Sequence, residues 1–251
     1  MYRLYRIIRL MKISSINSLI EALNSDAPIN KVFISKKRKD IRIGKIISIC
    51  KEKGVPFMII PPVALNKKAG NDNQGVFAEI SPVKIFTLDE ILKKSDGIIL
   101  ILDSVTDAGN LGAIIRTSVA AGIDGIILSR RHSAPLNETV LKTSSGALMN
   151  ARIVLSKNIS REMKILKEKG YWIISTDVKS GLPYYEYTFD IPTAIVIGSE
   201  GKGISTIVKK YTDQFINIPQ SKKIESLNVS AATAVILFEA LRQKKTKKNS
   251  G

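Results

Sequence analysis

The chain has 251 residues, 44% of them hydrophobic, which is enough for a buried core and too apolar for a disordered or fibrous protein. A single cysteine, Cys50, and a single histidine, His132, exclude an intrachain disulfide and any zinc site built from His and Cys, so no metal is expected. Lys and Arg number 39 against 22 Asp and Glu, a net charge of +17 that is spread over residues 1–96 (18 basic, 9 acidic) and residues 97–251 (21 basic, 13 acidic) rather than held in one arm.

The opening MYRLYRIIRLMK is basic with interleaved charge and lacks the apolar stretch and cleavage site of a signal peptide; no apolar run approaches a membrane span. A cytoplasmic protein with no membrane partner is expected. Periodicity then predicts a helix over 16–24, a strand at Lys31–Ser35, an amphipathic helix at Ile41–Lys53 and a strand at Val55–Ile60. Between that helix and the first strand lies the cluster Lys36, Lys37, Arg38, Lys39, which reads either as a solvated charge run or as loop cations that follow an RNA backbone. Pro61-Pro62 and the polar stretch after it read as a loop before a strand at Val76–Ile80; Ser81-Pro82 leads to a helix around Thr87–Lys94. A domain boundary is placed here, giving residues 1–82 as a small α/β domain, 83–96 as a linker, 97–246 as the main domain and 247–251 as a basic tail.

The second half alternates strands (98–102, 125–128, 153–155, 171–176, 194–197, 215–218) with helices (111–121, 136–146, 159–169, 203–211, 228–244), the pattern of an α/β fold with a mainly parallel, doubly covered sheet. Three of its strands open into loops of unusual character. The first enters Asn110-x-Gly112-x-x-x-Arg116, with Asn110 at the expected N-cap and Gly122 at the expected stop; Arg116 shares a helix face with Gly112 and leans back toward the strand end. The second, Ile197 to Gly203, sets Ser199, Glu200 and Lys202 among Gly198, Gly201 and Gly203. It fits neither a P-loop nor a dinucleotide fingerprint, because its order is Gly-x-x-Gly-x-Gly late in the chain. The third runs from Ile218-Pro219 through Ser226, Leu227 and Asn228 into a small-residue helix start at Ser230, Ala231 and Ala232. A tight strand-to-helix turn explains each alone. Together they offer main-chain groups and little bulk at the edge where open α/β sheets bind ligands.

In order and spacing these three segments resemble the motifs of the SpoU/TrmH family of RNA ribose 2'-O-methyltransferases. Asn17 in INSLIEAL, NKVFISK, DIRIGKI and NQGVFAEI resemble the substrate domain of the 23S ribosomal RNA guanosine subgroup, so the likeness covers nearly the whole chain. Asn73-Gln74-Gly75 stands where that subgroup has His-Gln-Gly, and Ser15 where it has a glycine. The resemblance implies a trefoil-knotted C-terminal domain, a homodimer, S-adenosyl-L-methionine as methyl donor and RNA, above all ribosomal RNA, as substrate. It points to Arg116, Asn110, Glu200, Ser226 and Asn228 for catalysis. It points to Gly198, Ile218 and Leu227, with Thr176, Gly201, Pro219 and Ser230, for the donor, and to Asn17, Lys36, Lys37, Arg38, Lys39 and Gln74 for RNA. Asn110 either orients Arg116 or caps its helix; Arg116 either accepts the ribose proton or stays cationic and stabilises charge. A tRNA or antibiotic-resistance methyltransferase, and a non-enzymatic RNA-binding scaffold, are the competing readings.

Overall fold

The computed structural model describes residues 12–24, 29–80, 83–92, 97–178, 180–201, 203–221, 223 and 225–249. The basic opening before Lys12, Ser81-Pro82, the end of the expected linker (residues 93–96), Lys202 and the end of the basic tail lie outside the described residues. Two compact units result: Met1–Lys84 with Leu136–Asn150, and Ile85–Pro135 with Ala151–Gly251.

In the first unit, β1 (Lys12–Ile13), β2 (Ile29–Ser35), β3 (Phe57–Ile60) and β4 (Val76–Ile80) form a mixed sheet in the order β1-β4-β2-β3, with only β2 and β3 parallel. Helices α1 (Ile16–Asn24) and α2 (Ile41–Glu52) pack on each other. In α2, Ile43, Ile46, Ile49 and Cys50 make the buried stripe, and Asp40 caps the start by accepting the Arg42 amide. The stretch read as a loop after Pro61 contains a helix, α3 (Pro62–Ala69). Pro62 starts it at the one place where a fixed φ and a missing N–H cost nothing, and Leu65 drops into the core between Phe33 and Phe77, whose rings stack at 5.9 Å. A late segment, α6 (Glu138–Thr143), belongs to this unit: it packs on α1, with Lys142 and Glu21 paired at 3.0 Å.

The second unit carries α4 (Leu88–Ile91), α7 (Ile159–Glu168) and a seven-stranded sheet of β5 (Ile98–Leu102), β6 (Gly125–Ser129), β7 (Ile153–Ser156), β8 (Trp172–Thr176), β9 (Leu182–Pro183), β10 (Thr193–Ile197) and β11 (Gln214–Asn217). All neighbouring pairs are parallel, in the order β7-β6-β5-β10-β8-β11-β9. Every residue of β5 and β10 is buried, which is why their sequences are apolar without alternation; each such Ile, Leu or Val contributes about 1.5–3 kcal/mol. The chain runs outward from β5 to β6 and β7, then returns on the other side, with β10 inserted between β5 and β8. That reversal makes a switch point, and the helices α5 (Ala108–Ala120), α8 (Thr206–Lys209) and α9 (Val229–Asn249) follow β5, β10 and β11 there. Helix α5 packs against α9. The helix expected over 203–211 shrinks to α8, because Gly203 adopts a left-handed φ of 63° and belongs to the loop. Among the described residues no helix is long and apolar enough to cross a membrane.

Candidate active site

The glycine segment after β10 folds back on itself: Ser199 and Gly203 exchange backbone hydrogen bonds at 3.1 and 3.0 Å. Gly198 lies so close under this turn that a Cβ there would stand 2.6 Å from the Ile204 nitrogen and 2.5 Å from the Gly203 carbonyl oxygen. The loop is held from below by Asp103, the residue after β5. Its buried carboxylate accepts the Ser205 amide at 2.8 Å and the Ser104 hydroxyl at 3.3 Å, while its own amide continues the ladder to Ile197.

Above that base, three side chains from three loops meet. Asn110 donates its amide to Glu200 Oε1 at 3.0 Å, Asn228 donates to the same oxygen at 3.0 Å, and Asn228 donates to Asn110 Oδ1 at 2.9 Å. Asn228 Oδ1 in turn accepts the Ser230 amide at 2.9 Å and the Ser230 hydroxyl at 2.5 Å, capping α9. These bonds settle which end of each amide is oxygen, since Glu200 only accepts and the Ser230 amide only donates. Asn110 is not the cap of α5. That place belongs to Asp107, whose carboxylate accepts the Asn110 amide at 2.7 Å, so Asn110 is the third residue of the helix, with its side chain released for Glu200. Arg116 is exposed six residues further along α5, about 9 Å down the axis and some 120° around it by helix geometry. Ser226 is exposed two residues before Asn228.

Thr176, Gly198 and Ile218 stand at the carboxyl ends of the neighbouring strands β8, β10 and β11, with Pro219 and Leu227 on the loop that leads into α9 and Ser230 in the first turn of that helix. Gly201, left-handed at φ 82°, has open space where a Cβ would be. The side-chain oxygen of Gln220 on the same loop is buried without a hydrogen-bond partner among the described residues. Small residues, main-chain groups and an unsatisfied acceptor fit a neutral, amine-bearing ligand such as an adenosine moiety.

In the first unit the expected RNA residues divide. Lys36, Lys37 and Lys39 are exposed on the loop after β2, and Asn17 is exposed on α1. Arg38 is turned to internal use, paired with Asp40 at 3.4 Å and lying against Gly75. The Gln74 side chain accepts the Ile16 amide at 2.9 Å and so holds the start of α1. Asn73 donates to Asn66 Oδ1 and the Gly70 carbonyl and accepts the Gly75 amide, closing the loop on itself.

Residues 97–238 match the model of the SpoU rRNA methylase family, and residues 16–86 match that for RNA 2'-O ribose methyltransferase substrate binding. The chain belongs to the SpoU rRNA methylase family. As such it is an RNA 2'-O-ribose methyltransferase. A TrmH family protein of Staphylococcus haemolyticus, assigned as a tRNA/rRNA methyltransferase, is 35% identical over 229 residues, which are 89% of this chain and 92% of that protein. Among solved structures, the SpoU methyltransferase AviRb of Streptomyces viridochromogenes in complex with AdoMet superposes with a TM-score of 0.73 at 22% identity, covering 94% of this chain and 91% of that one. An AdoMet-bound rRNA methyltransferase of Sinorhizobium meliloti superposes with a TM-score of 0.68 at 22% identity, covering 93% and 87%. These two likenesses carry the fold.

Within this SpoU enzyme, two residues that position or line the site escape motif reading. Asp103 carries the one legible signal, a carboxylate closing an otherwise wholly apolar strand. Gln220 carries none, since a glutamine on a polar loop has no distinguishing pattern. The arrangement can hold three loops at fixed separation and present Glu200's second oxygen, which has no hydrogen-bond partner among the described residues, to a positive group.

Proposed function

We propose that this enzyme methylates the ribose 2'-hydroxyl of a guanosine in large-subunit (23S) ribosomal RNA, working as a homodimer whose catalytic region is tied in a trefoil knot. The methyl donor is S-adenosylmethionine, which when bound supplies an electrophilic sulfonium methyl. On this reading Gly198, Gly201, Ile218, Pro219, Leu227 and Ser230 hold the donor through main-chain groups, with Thr176 beside them. Gln220 accepts from its adenine amine.

The observation that carries the reading is the Asn110–Glu200–Asn228 network, which locks the loops of β5, β10 and β11 together at the switch point. A displacement at carbon requires the hydroxyl oxygen and the methyl to be in line, so fixed loops are the first requirement. The second is stabilisation of the oxygen as its proton leaves. A guanidinium is protonated at any physiological pH, and Arg116 therefore acts as a cation toward the developing alkoxide and the adjoining phosphate, with water taking the proton. Glu200, Asn110, Asn228 and Ser226 position it. Residues 1–82 bind the RNA, using Lys36, Lys37, Lys39 and Asn17 as contacts and Arg38 and Gln74 as supports. Support for the dimer comes from α9, whose Val235 and Phe238 are exposed apolar residues.

Incubation with labelled donor and either unmodified ribosomal RNA or tRNA, followed by mapping of the labelled nucleotide, tests the assignment. One guanosine of the large-subunit RNA is expected. Label on tRNA alone overturns the ribosomal target, and binding of RNA without label overturns catalysis. Sedimentation that shows only monomer at micromolar concentration overturns the dimer.

A further inference from the structure

The loop after β6 holds a pair of arginines that neither the motifs nor the site described above accounts for. β6 is the parallel neighbour of β5, with Leu128 in register with Leu102, so Arg130 and Arg131 emerge at the level of Ser104 and Val105. One strand spacing, about 5 Å, separates the two exits. The loop is anchored there on both sides. Arg130 donates its amide to the Ser156 carbonyl at 2.7 Å, which extends the ladder to β7, and Ala134 donates to the Val105 carbonyl at 2.9 Å, which ties the loop to the segment leading into α5. Ser129 closes the turn by accepting the His132 amide at 3.2 Å.

Charge decides what such a loop can hold. The carboxylates of this edge make their hydrogen bonds to other groups: Asp103 to Ser205 and Ser104, Asp107 to the first turn of α5, and Glu200 Oε1 to two asparagine amides. Arg38, Arg42 and Arg242 each face a carboxylate within 4 Å. Arg130 and Arg131 are exposed and have no carboxylate or other side-chain partner among the described residues. Two exposed guanidinium forks on a tethered loop match a phosphodiester, which takes paired N–H donors from Arg better than from Lys.

We propose that Arg130 and Arg131 form a second RNA grip, on the catalytic unit itself, that holds the backbone phosphates flanking the target ribose. The proposal rests on the ribose-methylation reading above. It separates recognition, which the lysine loop of the first unit can supply, from local placement of the nucleotide at the transfer site. Its mark is an effect on RNA binding and KM rather than on the chemical step.

The test uses the full-length protein with the double variants Arg130→Ala/Arg131→Ala and Arg130→Lys/Arg131→Lys, an unmodified large-subunit rRNA transcript, and salt titrations of binding. The alanine variant is expected to lower affinity about 10- to 100-fold at low salt. The slope of log K against log salt should shrink by about one per arginine. KM for RNA should rise with kcat within about twofold, and binding of S-adenosylhomocysteine by calorimetry should not change. The lysine variant should restore the slope and only part of the affinity, because it keeps the charge and loses the fork. An unchanged slope and affinity in the alanine variant overturns the grip. The same titration on a tRNA transcript keeps the two readings apart: a reduced slope there, with methylation of tRNA alone, supports the grip while overturning the ribosomal target.

Discussion

The loop after β2 and the loops after β5, β10 and β11 are both polar, yet they use their polar groups in opposite ways. In the first unit the contacts stay within one end of a small sheet: Arg38 pairs with Asp40, Asn73 with its own turn, and Gln74 with the amide of Ile16. They set local shape and leave Lys36, Lys37 and Lys39 facing solvent. In the second unit Asn110 bonds to residues 90 and 118 positions away, through oxygens and nitrogens 2.9–3.0 Å apart. Loops joined this way cannot move independently. A backbone-tracking surface tolerates slack, whereas a transfer site loses rate with displacements of about 1 Å.

Substitutions can break this contrast at graded cost. Gly198→Ala should be the most severe, because the new Cβ meets backbone that has nowhere to go; donor binding, followed by calorimetry with S-adenosylhomocysteine, should fall at least about 100-fold and transfer should vanish. A variant with near-normal donor affinity would show that the loop is not the donor cradle. Arg116→Ala should lower kcat by about 100- to 1,000-fold, the range for loss of one charge-stabilising donor, with donor Kd within about twofold. Glu200→Ala leaves Asn110 and Asn228 without their shared acceptor, and we expect transfer to drop about 10- to 100-fold in single-turnover assays while RNA affinity stays level. The triple change Lys36→Ala/Lys37→Ala/Lys39→Ala should act in the other sense, raising KM for RNA and flattening its salt dependence by up to about three in slope at constant kcat. Gln74→Ala sits at the small end. It removes one acceptor from the start of α1, worth about 1 kcal/mol in denaturant titrations, with RNA affinity unchanged. Lost RNA affinity at unchanged stability would instead make Gln74 a contact.

Strands β5 and β10 were legible because burial on both faces leaves an unbroken apolar run, IILIL and TAIVI, whereas the two-residue strands β1 and β9 are too short to carry a pattern. Helix α3 was not, since Pro61-Pro62 and a lysine-rich tail mask the one buried position, Leu65, that tertiary packing needs. The start of α5 was displaced because Asp107 and Asn110, three apart, are both able to cap, and only geometry shows that Asp107 takes the role and frees Asn110. The motifs named Asn110, Glu200 and Asn228 one by one. Nothing local says that their loops converge, because that depends on β10 inserting between β5 and β8, a pairing decided by the whole sheet. Asp103 and Gln220 escaped for the same reason, their partners or lack of them being set by loops distant in sequence.

The central claim is that the edge joined by Asn110, Glu200 and Asn228 moves a methyl group onto a ribose oxygen. Nucleoside analysis of large-subunit rRNA after reaction with isotopically labelled S-adenosylmethionine tests it most directly. The account predicts a single labelled species, 2'-O-methylguanosine, whose initial rate of formation falls at least about 100-fold when Arg116→Ala replaces the wild type. Label on a nucleobase, or label that persists at wild-type level in Arg116→Ala, would contradict it.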